Sequence, residues 1–142
     1  MLEVLKLQKF NRGVKKQYEK NKNDKIIIIF KSIVLALIIS LICIIIYAIV
    51  LSITPVSDNT MSIITQVISM ISILAAGIYS GKNIKVKGWL YGLIVGIVYI
   101  VVLIPISMLW GQTLTIDKYF LARLLMASSV GLIGGIIGVN II

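Results

Sequence analysis

The sequence predicts an all-α integral membrane protein: a bundle of four transmembrane helices, both termini cytoplasmic, with glycine-rich packing in the cytoplasmic half. Three observations predict it. Of 142 residues, 59% are hydrophobic and 13% charged, which is too little polar surface to cover a water-soluble globule. Mean hydropathy is +1.07. Residues 32–54, 61–80, 89–109 and 119–142 form four apolar stretches, each near the roughly 20 helical residues that cross a hydrocarbon core of about 30 Å. Basic residues gather at alternate ends of these stretches. Each stretch is read as a helix, because an isolated strand would leave backbone groups unpaired in lipid.

Residues 1–31 form a basic tail, and residues 32–142 form the four-helix transmembrane domain. The tail carries Lys6, Lys9, Arg12, Lys15, Lys16, Lys20, Lys22, Lys25 and Lys31 against Glu3, Glu19 and Asp24. Leu7, Phe10, Val14 and Tyr18 recur at helical spacing and share one face. Lys9, Arg12, Lys16 and Lys20 fall on the other, which suits an interfacial helix on an anionic inner leaflet. A flexible tail whose charge merely fixes topology is the other reading. Gly13 weakens the helix, and residues 21–24 read as a polar break before the first span. No nucleic-acid-binding motif accompanies the charge, and no nucleic-acid partner is expected.

The first span follows this long tail and shows no small-residue cleavage pattern behind it, so it reads as a span rather than a cleaved signal peptide. It is mostly Ile and Leu, with Ala36, Ser40, Cys43 and Ala48 as small breaks, and is expected at the periphery of the bundle. Cys43 is the only cysteine, so an intramolecular disulfide is impossible.

The loop after the second span holds Lys82, Lys85 and Lys87 with no acid, whereas the loops after the first and third hold Asp58 and the pair Asp117 and Lys118. Basic flanks mark the cytoplasmic side. The N-terminus and middle loop are therefore expected inside, and four spans return the C-terminus inside. Cysteines placed at Asn59 and Thr115 are expected to react from outside, and one at Asn83 is not. Trp89 and Tyr91 at one end of the third span and Trp110 at the other suit the two interfaces. Arg123 is expected at the outer boundary, about 20 residues before Ile142, where its long side chain can snorkel with Asp117 or Asp58 as partner.

Nine of the eleven glycines fall in one half of this membrane. Gly77 and Gly81 close the second span, and Gly88, Gly92 and Gly96 open the third. Gly131, Gly134, Gly135 and Gly138 close the fourth. Spacings of four residues drift by only about 80° over two steps, so Gly88, Gly92 and Gly96 share a face. Small residues in GxxxG patterns let helix backbones approach for dispersion contact where lipid removes any hydrophobic drive. A tight three-helix cluster is expected there, serving packing within the chain or association with another membrane protein or a second copy. The tetrads at Thr54-Pro55-Val56-Ser57 and Ile104-Pro105-Ile106-Ser107 lie 50 residues apart, as a parallel two-plus-two repeat would place them.

Reactive chemistry is missing. The chain has no histidine, and its acids lie outside the spans, so no mid-membrane proton relay is expected. Asp58 and Asp117 alone make a poor metal site. Ser69, Ser72, Ser128 and Ser129 lack a base and read as helix–helix hydrogen-bonding groups. No catalytic, metal or cofactor-binding residue is expected, and no enzyme. The leading expectation is a non-enzymatic accessory or regulatory membrane protein that associates with another membrane component. The alternative is a homo-oligomeric pore or small-solute carrier, in which Pro105 breaks the third span and Gln66, Ser128 and Ser129 supply polar groups.

The segments Lys87-Gly88-Trp89-Leu90-Tyr91-Gly92-Leu93 and Gly134-Gly135-Ile136-Ile137-Gly138-Val139-Asn140 resemble a family of small, uncharacterised four-span membrane proteins of low-GC Gram-positive bacteria. The likeness covers about residues 30–142 and leaves the basic tail outside. It implies a bacterial plasma-membrane location and transfers no functional residue.

Overall fold

A computed structural model describes residues 1–111, 113 and 116–141; Thr115, expected in an outer loop, and Ile142 lie outside the described residues. The chain forms four helices: α1 (Leu2–Ile53), α2 (Asp58–Ile84), α3 (Gly88–Leu109) and α4 (Lys118–Asn140). All four are long and apolar enough to cross a membrane. Even α3, with 22 residues, extends about 33 Å at 1.5 Å per residue.

α1 departs most from expectation. Its 52 residues run unbroken through Gly13 and through residues 21–24, where the sequence suggests a break. Helix formers flank both places, and propagation costs far less than starting a new helix. Its end is set by Pro55. Thr54 takes the extended conformation (φ −125°, ψ 123°) required before proline, while its N–H still donates to the Val50 carbonyl at 3.1 Å.

α2 begins after Ser57, with Asp58 in the first turn favouring the helix dipole. Three residues connect α2 to α3, and two of them, Lys85 (φ 61°) and Lys87 (φ 53°), are left-handed without being glycine. This reversal brings Gly88 back against the Cα of Gly81. α3 continues through Pro105 to Leu109, so the expected break there is absent. The proline withdraws only its own N–H, leaving the Val101 carbonyl without its helical donor.

α4 packs along both α2 and α3, while α1 lies outside, mainly against α2. The core of Ile33, Ala36, Ile73, Ala76, Val95, Tyr99, Ile100 and Ala127 draws on all four helices. Only Ser32, Ile33, Ala36 and Ser40 of α1 are buried, so this helix is peripheral. A repeat offset of 50 would pair Gly88, Gly92 and Gly96 with Ile38, Ile42 and Ile46, which are exposed on α1. The two halves therefore pack by different means.

Candidate helix-packing and membrane interface

All nine glycines singled out above are buried, and each lies against backbone or side-chain atoms of another helix of the same chain. α4 presents two adjacent rows. Ala127, Gly131 and Gly135 face α3: a Cβ on Gly96 would strike the Ala127 carbonyl, one on Gly92 the Gly131 carbonyl, and one on Gly135 the Gly88 carbonyl. Gly134 and Gly138 face α2, where a Cβ on Gly134 would lie 2.6 Å from the Leu74 carbonyl oxygen and one on Gly138 would strike that of Ile78. Gly77 and Gly81 complete the same α2–α4 side, within 3.2 Å (from a Cβ) of the backbone at Gly134 and Gly135. Such backbone-to-backbone approach needs a residue without a Cβ on at least one of the two helices.

Gly88 is the hinge of the arrangement. A Cβ there would meet the Val139 side chain, and would lie 2.7 Å from the Gly135 carbonyl oxygen and 3.2 Å from the Gly81 Cα. The cluster therefore sits at the end of the bundle that carries the α2–α3 turn. Lys25 lies at the same end, with its Nζ 5.9 Å from the centre of the Tyr91 ring, a cation–π geometry.

Lys9, Arg12, Lys16 and Lys20 are all exposed on α1. So are Leu7, Phe10, Val14 and Tyr18, from 50% to 74%; nothing in the bundle covers this part of the helix. Farther along, Ile38, Leu41, Ile42, Ile45, Ile46 and Ile49 are exposed as well.

The serine hydroxyls serve a different purpose from the one expected. Ser69, Ser72, Ser128 and Ser129 donate to Thr65, Ile68, Leu124 and Leu125 carbonyls at 2.8–3.0 Å. These bonds lie within single helices, not between them. The carbonyl four residues back is always in reach, which defeats cross-helix pairing. Among the described residues no group of three His, Cys, Asp or Glu side chains could hold a metal ion.

Two features escape the sequence reading. Ser32, Ala36 and Ser40 form a small-residue row at four-residue spacing, and this row is the side α1 turns to the bundle. The same spacing rule that exposes the glycine rows would have found it. The second is a cavity of about 180 Å³ at the end away from the glycines, lined by all four helices and reached by Arg123. Its polar lining comes from residues scattered over four segments, so no local pattern marks it.

A family model described as protein of unknown function (DUF3792) matches residues 25–138, and the chain belongs to that family. The match starts where α1 meets the bundle and excludes the exposed basic stretch. Comparison with curated proteins and with solved structures finds no match.

Proposed function

We propose that this member of the DUF3792 family is a non-enzymatic accessory or regulatory protein of the bacterial plasma membrane, at home in low-GC Gram-positive bacteria. It acts by helix–helix association with another membrane component. Both termini are cytoplasmic, because the exposed lysines of the tail and of the α2–α3 turn all lie at one end of the bundle and basic flanks stay inside. The glycine cluster then occupies the cytoplasmic half.

One observation carries the reading. The glycine rows are occupied within the chain, whereas α1 buries only four of its 52 residues and leaves the exposed face of its apolar part and its basic stretch uncovered. The partner surface is accordingly α1: its isoleucine-rich face in the membrane, and its basic stretch against anionic lipid at the inner surface. Quantitative crosslinking of natively expressed protein tests this. It should recover a reproducible membrane partner or a second copy; isolated monomers alone overturn the proposal.

The cavity beside Gln66 and Ser69 is the observation that favours a carrier. Against it, backbone contact between α2, α3 and α4 leaves no space for a path through the glycine end of a single bundle, and α3 is unbroken at Pro105. Liposomes containing the purified protein should show no solute flux.

A further inference from the structure

At the end of the bundle away from the glycines, the four helices part around the 180 Å³ cavity. Its polar lining is Ser40 from α1, Thr65, Gln66 and Ser69 from α2, Tyr99 from α3 and Arg123 from α4. Three of these hydroxyls are already committed as donors. Ser40 donates to the Leu37 carbonyl at 2.9 Å, Thr65 to Met61 at 2.7 Å and Ser69 to Thr65 at 3.0 Å. The Gln66 amide finds only the Met126 sulfur at 3.1 Å, a weak acceptor. Arg123 adds five donors in a fixed fork and a permanent charge.

Beside it, a groove of about 320 Å³ runs between α3 and α4 and shares Ile100, Leu103 and Arg123 with the cavity. The rest of this wall is largely apolar, with Ile104, Phe120 and Trp110. Among the described residues, neither wall holds a carboxylate. Arg123 thus stands where a polar, positively charged cavity meets a largely apolar groove. It lies five residues inside the start of α4, about 8 Å along the helix, and is itself exposed, so its guanidinium is open to an anion at the outer boundary.

We infer that this is a binding site for an anionic phospholipid. Its headgroup phosphate is held by Arg123 and Gln66, and an acyl chain lies along Ile100, Leu103 and Ile104. Phosphate oxygens match the guanidinium fork, and among the described residues neither wall supplies a carboxylate to compete for it. The 180 Å³ cavity is too small for a whole lipid, so the chain must leave through the groove. A free anion would fill the polar half and leave the apolar half empty. The site lies on the opposite leaflet from the basic tail and stands independently of the partner proposed for α1.

The test uses the full-length protein with Trp89→Phe, leaving Trp110 beside the groove as its only tryptophan. It is reconstituted in phosphatidylcholine vesicles doped with phosphatidylglycerol brominated on its acyl chains. Trp110 should be quenched more than by an equal fraction of brominated phosphatidylcholine. Arg123→Gln should abolish that excess, and Arg123→Lys should retain part of it. In the reciprocal protein with Trp110→Phe, quenching of Trp89 should be the same with and without Arg123→Gln, which shows that the variant is folded. Equal quenching by the two lipids, or an excess that survives Arg123→Gln, overturns the site. Loss of the excess on adding inorganic phosphate assigns it to a soluble anion and overturns the lipid.

Discussion

Gly92 and Gly131 each fill the space that a side chain on the other would need. A Cβ on Gly92 would strike the Gly131 carbonyl oxygen, and a Cβ on Gly131 would strike that of Gly92. Two helices in such mutual contact gain dispersion energy over their whole facing length, and neither can move aside without losing it. Gly92→Ala is therefore expected to lower bundle stability by about 1–3 kcal/mol, the usual range for overpacking, and Gly92→Leu by more. Ile46→Leu, on the exposed face of α1, is the control and should be nearly silent. Thermal unfolding in detergent checks the contrast; equal midpoints for Gly92→Leu and Ile46→Leu would remove the packing argument.

Reciprocity also predicts coupling. Gly92→Ala and Gly131→Ala disturb one contact, so the double variant should cost less than the sum of the singles, by about 0.5 kcal/mol or more. Gly96→Ala and Gly138→Ala act on different faces of α4, against Ala127 and Ile78, and should add. A double-mutant cycle on unfolding free energies separates the two cases. Additivity in both pairs would contradict the shared contact.

Gly13 supplies the opposite sign. A Cβ there meets nothing within 4 Å, and the residue sits inside the continuous α1. Gly13→Ala should raise the helicity of the exposed stretch, worth about 0.5–1 kcal/mol. Circular dichroism and amide exchange of the stretch check this, and unchanged exchange there would count against a continuous helix.

The four apolar helices were legible because composition and length are local signals. What escaped was decided by tertiary placement. Arg123 reads as a boundary residue from its distance to the chain end, yet its cavity exists only when Ser40, Gln66 and Tyr99 arrive from three other helices. Ser72 and Ser128 read as cross-helix donors, but each satisfies itself on its own helix. Residues 21–24 look like a break because asparagine and aspartate favour caps and turns, whereas no proline or paired glycine is present to stop a helix already propagating.

That continuity carries a prediction for the tail. Spin labels at Val14 and Val34, both exposed on α1, stand about 30 Å apart along a straight helix. In zwitterionic bilayers that distance should hold. With anionic lipid, attraction of about 1 kcal/mol per basic residue should draw Lys9, Arg12, Lys16 and Lys20 to the surface, bend the helix at residues 21–24 and shorten the distance. A distance insensitive to anionic lipid would leave the tail upright and rule out the interfacial role.

Orientation is checked in intact cells with an impermeant thiol reagent. In a Cys43→Ala background, a cysteine at Asn59, at the start of α2, should react. One at Asn83, at the other end of α2, should react only after lysis. Labelling at position 83 in intact cells would invert the topology and move the glycine cluster to the outer leaflet.

The most direct measurement of the proposed function is site-specific photocrosslinking in the native membrane. Photoreactive residues at Ile38, Ile42, Ile45 and Ile49 sample the free face of α1, and those at Leu125 and Ile133 sample the exposed face of α4. Association through α1 predicts discrete adducts of one reproducible mass from the α1 positions and none from α4. Adducts from α4 alone, equal adducts from both helices, or none from α1 would contradict it.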